Sequence, residues 1–223
     1  KPVTQLFTKK NHEKIWRYLI ENLTVFLEMC EQSDFDNYVI NFLASCLSHR
    51  SVILVTETLK ALQKILTTDA TFLTLPKVKK KLLPVMMKLL LIPKVKNSNI
   101  VRTCVLICLA KLLQHFFSDN LVKQITEIVE KSTKIEFEPD VVMSAICLYD
   151  NAVQFSNSKI IANVLLPKIS PLITVSGLIT KQKNKIYELL KICLNKIEEE
   201  YYEESTKEEN EHSSQKDTIN LFD

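Results

Sequence analysis

The sequence predicts an all-α protein, and three observations support that prediction. Apolar residues recur at three- and four-residue steps through most of the chain, whereas the strict alternation of a half-buried strand is nearly absent. The 223 residues, 46% of them hydrophobic, suffice for one globular unit with a substantial core. The single glycine, Gly177, leaves little for the tight hairpin turns of a β-protein. A succession of helices follows from these three features.

Capping residues and prolines define where the helices begin and end. Ser33 with Asp36 resembles a capping box, and Asn97 and Ser118 each precede an apolar periodic run. Pro139 suits the first turn of a helix, where its missing N–H costs no hydrogen bond. With these limits the sequence predicts helices at residues 9–31, 34–48, 51–67, 76–92, 97–117, 119–131, 139–155, 159–174 and 180–204.

Alternate helices carry an apolar doublet that recurs along the chain. The four doublets are Val39-Ile40, Leu82-Leu83, Leu121-Val122 and Leu165-Leu166. They are 43, 39 and 44 residues apart, which is close to the length of a two-helix HEAT or armadillo unit. In such a unit each pair exposes an apolar face that only the next pair can cover. The sequence therefore predicts a HEAT/armadillo-like α-solenoid of antiparallel helix pairs.

Two of the four doublets are followed by proline, at Pro84 and Pro167. Proline within a helix removes one backbone hydrogen bond and tilts the residues that follow. The first helix of a stacked pair has to bend over its neighbour, and the surrounding side chains can absorb that tilt. We therefore expect Pro84 and Pro167 to be structural kinks inside continuing helices.

The repeat divides the chain into three parts. These are the last helix of a preceding HEAT repeat at 1–33, about four HEAT-like repeats at 34–204 and a disordered acidic tail at 205–223. Because the first helix has no predicted partner before it, Ile15, Leu19, Leu23 and Phe26 are expected to lie at an open end, and a longer natural chain is expected. The aromatic residues Trp16 and Tyr18 are assigned to the core.

Composition argues against catalysis, metals and cofactors. One glycine cannot supply phosphate-binding loops or nucleophile elbows. Cys104 and Cys108 would share a helix face, but no second pair of ligands follows them, so packing is the favoured role for all six cysteines. The four histidines are far apart in the sequence. No apolar run is long enough to span a membrane, and no catalytic residue or cofactor site is predicted.

The segment 77–96 is rich in lysine and contains no acidic residue. Its candidate basic surface consists of Lys77, Lys79, Lys80, Lys81, Lys88, Lys94 and Lys96. An anionic membrane, for example one with phosphoinositides, or an acidic protein would suit such a surface. RNA is a less favoured ligand, because no arginine fork or interleaved aromatic residue is present. The alternative is an ordinary lysine-rich surface that keeps the solenoid in solution.

The charge changes sign near the end of the chain. Residues 196–223 carry a net charge of −7, which leaves +10 for residues 1–195. The last residues contain a candidate docking peptide, made of Ile219, Leu221, Phe222 and Asp223. Short peptides of this apolar and acidic type bind grooves on clathrin and adaptor domains. The match to a clathrin box is incomplete, because Phe222 separates Leu221 from the acidic residue.

Three segments resemble one known family. They are KKKLLPVMMKLLLIPKVKNSNIVRTCVLICLAKLLQHFF, VVMSAICLYDNAVQ and VLLPKISPLITVSGLITKQKNKIYELLKICLNKIEEE. In this order they are similar to the C-terminal part of the HEAT-repeat region of the Scy-like pseudokinases, and most of all to the clathrin-coated-vesicle-associated member. The resemblance extends from about residue 34 to residue 200. No kinase motif is present in the chain, so any ATP-binding, kinase-like domain would lie upstream of it.

The resemblance implies a non-catalytic scaffold in clathrin-dependent vesicle trafficking. Its partners would be clathrin, adaptor proteins and anionic membrane, and its location would be the cytoplasmic side of Golgi, endosome and coated-vesicle membranes. The alternative, which the same group of proteins permits, is a HEAT-repeat adaptor in tRNA export or nuclear transport. Salt-dependent binding of RNA to the lysine segment would favour this alternative.

Overall fold

The structure is a computed structural model that describes residues 4–7, 13–68, 72–92, 98–133 and 138–219. Within these ranges the chain forms ten helical runs and no strand. They are α1 Glu13–Glu21, α2 Leu23–Glu28, α3 at 32–47, α4 Val52–Thr68, α5 at 75–91, α6 Asn99–His115, α7 Asp119–Thr133, α8 Pro139–Phe155, α9 at 158–169 and α10 Thr180–Ile219. Short 3-10 turns at Thr4–Phe7 and Ser170–Thr174 precede α1 and follow α9.

The helices form two layers. In the first, called the A layer, α3, α5, α7 and α9 contact one another in that order. In the second, called the B layer, the order of contact is α1, α4, α6, α8 and α10. Each A helix also packs against the B helix that follows it in the chain. This arrangement confirms the predicted all-α solenoid of stacked helix pairs.

The recurring apolar doublets lie at the centre of this stack. Residues of α3 with at most 1% exposure include Phe35, Val39, Ile40, Leu43 and Leu47, and the corresponding buried residues of α5 are Val78, Leu82, Leu83, Met86 and Leu90. Each set contacts the neighbouring repeat as well as its own pair. The core is therefore continuous along the stack.

Polar contacts also recur at the spacing of the repeat. In the B layer Lys64 Nζ donates to Thr24 Oγ1 at 3.2 Å, and Lys111 Nζ donates to Thr67 Oγ1 at 2.5 Å. Gln63 Nε2 donates to the carbonyl of Cys104 at 3.0 Å. The partners are 40, 44 and 41 residues apart in sequence. These bonds join α4 to α2 on one side and to α6 on the other.

Most predicted helices lie within a few residues of the observed ones, but the two terminal helices differ. The first, predicted at 9–31, is divided into α1 and α2 at Asn22, whose backbone has φ −101° and ψ 13°. The last, predicted to end at 204, continues to Ile219. Residues 203–219 lack glycine and proline and are rich in Glu, Lys and Gln, all strong helix formers, which explains the extension. Disorder of the tail from residue 205 stays a prediction.

Leu19 and Leu23 were expected at an open end of the stack, but they are only 2% and 1% exposed. They are buried because α1 and α2 pack against α4. Sequence patterns gave no indication that Phe7 joins this core, where its ring lies 5.1 Å from that of Phe42. Ile15 stays 42% exposed, as expected for the end of a stack.

Tyr18 also differs from its prediction as a core residue. It is 61% exposed, whereas its neighbours Leu19 and Ile20 point into the core. Trp16 is half-buried, with its ring 5.7 Å from that of Phe42. Tyr18 therefore belongs to the exposed face at the beginning of the stack.

The capping predictions hold in part. Ser118 Oγ accepts a hydrogen bond from the N–H of Leu121 at 3.3 Å, and Pro139 is in the first turn of α8, as predicted. Asn97 lies outside the described residues, and Ser98 caps α6. The predicted cap at Ser33 is wrong, because α3 already begins at Gln32 and its preceding residue, Glu31, has an extended backbone.

Three of the four A helices contain a five-residue π turn at the same place. The turns are Phe35–Val39 in α3, Val78–Leu82 in α5 and Ile161–Leu165 in α9. Each follows a three-residue α segment, and each is followed by further α-helix. After each turn a backbone N–H bonds five residues back, as from Leu83 to Val78. The turn thus belongs to the repeat itself.

Both prolines are the second residue after such a turn, and the helical run continues through them. A proline in a regular helix loses its hydrogen bond and collides with the carbonyl four residues earlier. A π turn is wider than an α turn, which gives that carbonyl room to move. The size of the bend at Pro84 and Pro167 stays a prediction, but neither proline ends its helix.

Asn41 occupies the corresponding position in α3, where no proline is present. Its side chain Nδ2 donates at 2.8 Å to the carbonyl of Asn37, four residues earlier. This is the carbonyl that a proline at position 41 would leave without its usual partner. The π turn of α3 therefore forms without proline, and an amide side chain satisfies the carbonyl.

We predict that Asn41→Pro is tolerated, whereas Ser45→Pro is not. Position 41 follows a π turn at the same place as Pro84 and Pro167, so the unfolding free energy should change by at most about 1 kcal/mol. Ser45 is exposed in the regular α part of the same helix, and proline there should cost about 3 kcal/mol or more. Urea denaturation of both variants measures the difference. Equal destabilisation would contradict the role assigned to the π turn.

Candidate binding surface

Helix α5 places its lysines on the side that faces away from the core. The helix begins at Leu75 after the extended residue Thr74, with Pro76 in the first turn. Its buried side chains, such as Leu82 and Met86, point towards α3 and α7. The opposite side carries the exposed residues Lys80, Lys81, Pro84 and Lys88, and Lys79 is half-buried at its edge.

These exposed lysines extend along two turns of one helix. From Lys80 to Lys88 the axial distance is about 12 Å, at about 1.5 Å per residue. No hydrogen bond or ion pair joins Lys80, Lys81 or Lys88 to another residue in the described part of the chain. Helix α5 also contains no acidic residue. The three ammonium groups are therefore available to an anionic ligand.

Lys77 has a different role. It forms an ion pair with Asp36 of α3, and Gln32 Nε2 donates to the same carboxylate at 3.0 Å. The hydrogen bond from Lys77 holds the pKa of Asp36 below its usual range, and the bond from Gln32 acts in the same direction. Lys77 thus joins the first repeat to the second. Two further members of the predicted set, Lys94 and Lys96, lie outside the described residues.

Several lysines of the B layer make contacts within the protein, unlike Lys80, Lys81 and Lys88 of α5. Lys60 forms an ion pair with Glu57 at 3.0 Å, and Lys64 and Lys111 bond to threonines of the preceding helix. Lys196 Nζ donates to the carbonyls of Val153 and Gln154 at 2.9 Å each. In the A layer Lys168 is similarly paired with Glu130. Helix α10 also carries exposed lysines, namely Lys181, Lys183, Lys185 and Lys191, but it contains acidic residues as well, whereas α5 contains none.

Two grooves on the B layer were not predicted from the sequence. One, of about 520 Å³, lies between α2 and α4 and is lined by residues that include Leu27, Ile65 and Phe72. The other, of about 320 Å³, lies between α8 and α10 and has both Asp150 and Lys185 in its wall. Each joins residues about 40 positions apart, so only the repeat spacing could have indicated them. Neither contains a group of titratable side chains arranged for catalysis.

The three buried cysteine thiols are poorly suited to nucleophilic chemistry. Burial raises the pKa of Cys46 and Cys108 to about 12 and that of Cys193 to about 11, so these thiols stay protonated at neutral pH. Cys108 Sγ lies 3.7 Å from the carbonyl of Leu59, to which it donates a weak hydrogen bond. Among the described residues no group of three or more potential ligands is close enough to hold a metal ion.

The structure describes only the first residue of the candidate docking peptide. Ile219 is the last residue of α10. Leu221, Phe222 and Asp223 lie outside the described residues. The peptide therefore stays a prediction from the sequence.

Comparison with known proteins finds a likeness to solved structures only. No family model and no curated protein matches the chain. The crystal structure of Cex1p is similar to it, with a TM-score of 0.73 and 19% sequence identity. The match covers 90% of this chain and 36% of that chain, so this chain spans about a third of its neighbour's length. At this identity the likeness establishes the fold, a helical-repeat solenoid.

The described helices were also compared with the requirements of a membrane span. None of them combines the length and the hydropathy that crossing a bilayer requires.

The ion pair of Lys77 and Asp36 gives a testable pH dependence. Because the pKa of Asp36 is lower in the folded protein, the pair stabilises the fold above the unfolded pKa of about 3.9. That contribution is lost as the pH falls through the folded pKa. Both side chains are partly exposed, so the coupling free energy at neutral pH should be about 0.2 to 1 kcal/mol.

A double-mutant cycle of Asp36→Asn and Lys77→Gln measures this coupling by urea denaturation. The coupling should be present at pH 7 and smaller at pH 2. A value that is the same at both pH values would show that the pair does not stabilise the stack through charge.

Proposed function

We propose that this chain is a non-catalytic helical-repeat adaptor that binds RNA in tRNA export or another step of nuclear transport. The observation that carries the proposal is the row of unpaired lysines on α5, with Lys80, Lys81 and Lys88 at its centre. The likeness to Cex1p supports a helical-repeat adaptor of this kind. It lends no comparable support to clathrin or membrane partners.

The chemistry of the lysine row suits a phosphate backbone. Lysine ammonium groups act as point charges that neutralise phosphates and release counterions, which gives affinity without base recognition. Helix α5 offers no arginine fork and no aromatic residue to stack on bases. We therefore expect recognition of a folded RNA by its shape and charge. Double-stranded RNA is usually recognised in this way, because side chains cannot read its deep major groove.

The non-catalytic part of the proposal rests on the fold and on the state of the thiols. Stacked helix pairs present extended surfaces instead of the enclosed pocket of a typical enzyme. The buried cysteines are protonated at neutral pH, since burial raises their pKa. An adaptor needs only such a surface and a stable scaffold behind it.

The first testable consequence is a salt-dependent affinity for tRNA. We expect the triple variant Lys80→Gln, Lys81→Gln and Lys88→Gln to bind tRNA about 10- to 100-fold more weakly at low salt. The slope of log affinity against log salt concentration should fall by about 2 to 3, because three phosphate contacts are lost. Fluorescence anisotropy with labelled tRNA at several salt concentrations measures both quantities.

A matched variant controls for net charge. Lys14, Lys181 and Lys183 are exposed at the two ends of the stack, and changing all three to Gln removes the same charge from other surfaces. This control should bind tRNA almost as tightly as the unchanged protein. Equal weakening in both triple variants would show that α5 is not the binding surface. Binding to phosphoinositide vesicles with no binding to tRNA would overturn the RNA proposal.

A second candidate function rests on the sequence resemblance of residues 34–200 to the Scy-like pseudokinases. Under it the chain would be a scaffold for clathrin-dependent trafficking at Golgi and endosome membranes. The terminal peptide from Ile219 to Asp223 would contact clathrin or an adaptor domain. The possible kinase-like, ATP-binding domain of such a protein would lie outside this chain.

Capture by immobilised clathrin terminal domain and adaptor appendages distinguishes this candidate. If the peptide acts as proposed, the immobilised domains should retain the full chain, whereas a chain lacking residues 205–223 should not bind and should be removed by washing. Equal capture of both forms would remove the tail from the mechanism. No capture of either form would leave the trafficking function without a contact in this chain.

A further inference from the structure

Helix α10 exposes an apolar stripe that the proposed function does not use. Tyr187, Leu194 and Tyr201 are 55%, 55% and 65% exposed and follow one another at seven-residue steps. The half-buried residues Leu190 and Ile197 lie between them. Together they give the alternating three- and four-residue spacing of a seam that packs against another helix. The stripe is about 21 Å long, at about 1.5 Å per residue.

The exposed residues of the stripe point away from α8, whereas its half-buried residues, Leu190 and Ile197, pack against the core at its edge. The side of α10 that faces α8 carries Leu189 and Ile192, which line the groove between these helices. Tyr187 and Leu194 are each two residues away from this pair, and two residues turn a helix by about 200°. They consequently point in nearly the opposite direction. This is the face on which a further helix pair would stack.

A further pair from the same chain does not fit the course of α10. Helices α4, α6 and α8 have 17 residues each, and the chain then turns into the next A helix, as between Phe155 and Ser158. Helix α10 instead has 40 residues and continues to Ile219. That end lies about 27 Å beyond Tyr201 along the axis. The chain does not turn back where another repeat would have to begin.

The charges along α10 favour a second copy of the same helix in the opposite direction. The half before the middle of the stripe has a net positive charge, with Lys181, Lys183, Lys185 and Lys191 against Glu188. The half after it has a net negative charge, with Glu198, Glu199 and Glu200 against Lys196. In an antiparallel pair centred near Leu194, Tyr187 meets Tyr201 of the second copy, and Lys191 meets Glu198 of the second copy. A parallel pair would instead place like charges side by side.

We infer that two copies of this chain associate through antiparallel pairing of their α10 helices. The two solenoids then meet end to end, with the stripe of each covered by the other. One helix face buries less area than a standard interface, so the dimer should have micromolar affinity and should weaken with salt. Association of this kind depends on concentration and is measured by sedimentation velocity or light scattering.

The test uses a matched pair of exposed apolar residues at opposite ends of the stack. Leu194 is 55% exposed on α10, and Val25 is 53% exposed on α2. Leu194→Glu should weaken dimerisation by about two orders of magnitude, because it places a charge in the centre of the seam. Val25→Glu should leave it unchanged. Because both residues are exposed, circular dichroism and thermal melting of the variants should match the unchanged protein.

A charge reversal tests the direction of the pair. Lys191→Glu and Glu198→Lys should each weaken the dimer, since each places like charges across the interface. The double variant should restore it, because both opposite-charge contacts reform in an antiparallel pair. A monomer at all concentrations up to 100-fold above the micromolar range, or a dimer lost with Val25→Glu and kept with Leu194→Glu, would overturn the inference. Failure of the double variant to recover would overturn the antiparallel arrangement.

Discussion

The whole structure depends on one constraint: a helix pair can hide its apolar face only against the next pair. Phe35 and Val39 of α3 have no measurable exposure, and α3 contacts both its partner helix α4 and the next A helix, α5. The same dependence is passed along the stack, so that stability is a sum over neighbours and not the property of one closed core. It also explains why the polar bonds between B helices recur at about 40 residues. Within the described residues, the side chains of Tyr18 and Val25 at one end and of Tyr187 and Leu194 at the other are exposed.

The π turn maintains this arrangement inside the A helices. In α5, Val78 is the first residue of the π turn and Leu82 is the last. Leu83 follows directly, and Met86 and Leu90 are the next buried residues of this set. The additional residue in the wide turn keeps Val78 on the same face of the helix as the four later residues. In a regular helix Val78 would be rotated away from that face. Helix α7 has no π turn, since it begins at Asp119, and only the second half of the pattern, Leu121-Val122 onwards, lies within it. The residue that corresponds to Val78 is Phe117, which lies in the preceding connection and is half-buried.

Much of the fold could be predicted because apolar periodicity and the doublet spacing directly reflect burial. The π turns could not, since a bond to the fifth preceding residue leaves no side-chain pattern, and Asn41 shows that the turn does not require proline. The break at Asn22 and the extension of α10 to Ile219 depend on differences in helix propensity of a few tenths of a kcal/mol per residue. The pairing of Lys77 with Asp36 was missed for another reason. The two residues are 41 apart, and applying the repeat spacing to charged residues as well as to leucines would have found them.

The candidate surfaces are compatible with one another because the stack separates them. The lysines of α5 lie in the A layer near the middle of the solenoid, and the α10 stripe lies at its end. Two solenoids joined at that end would together present two sets of Lys80, Lys81 and Lys88. A folded RNA able to reach both sets would bind more tightly than one copy allows, since the second contact is made at a high effective concentration. The acidic residues of α10 would at the same time be drawn towards the lysines of the second copy, which leaves the α5 lysines to the ligand.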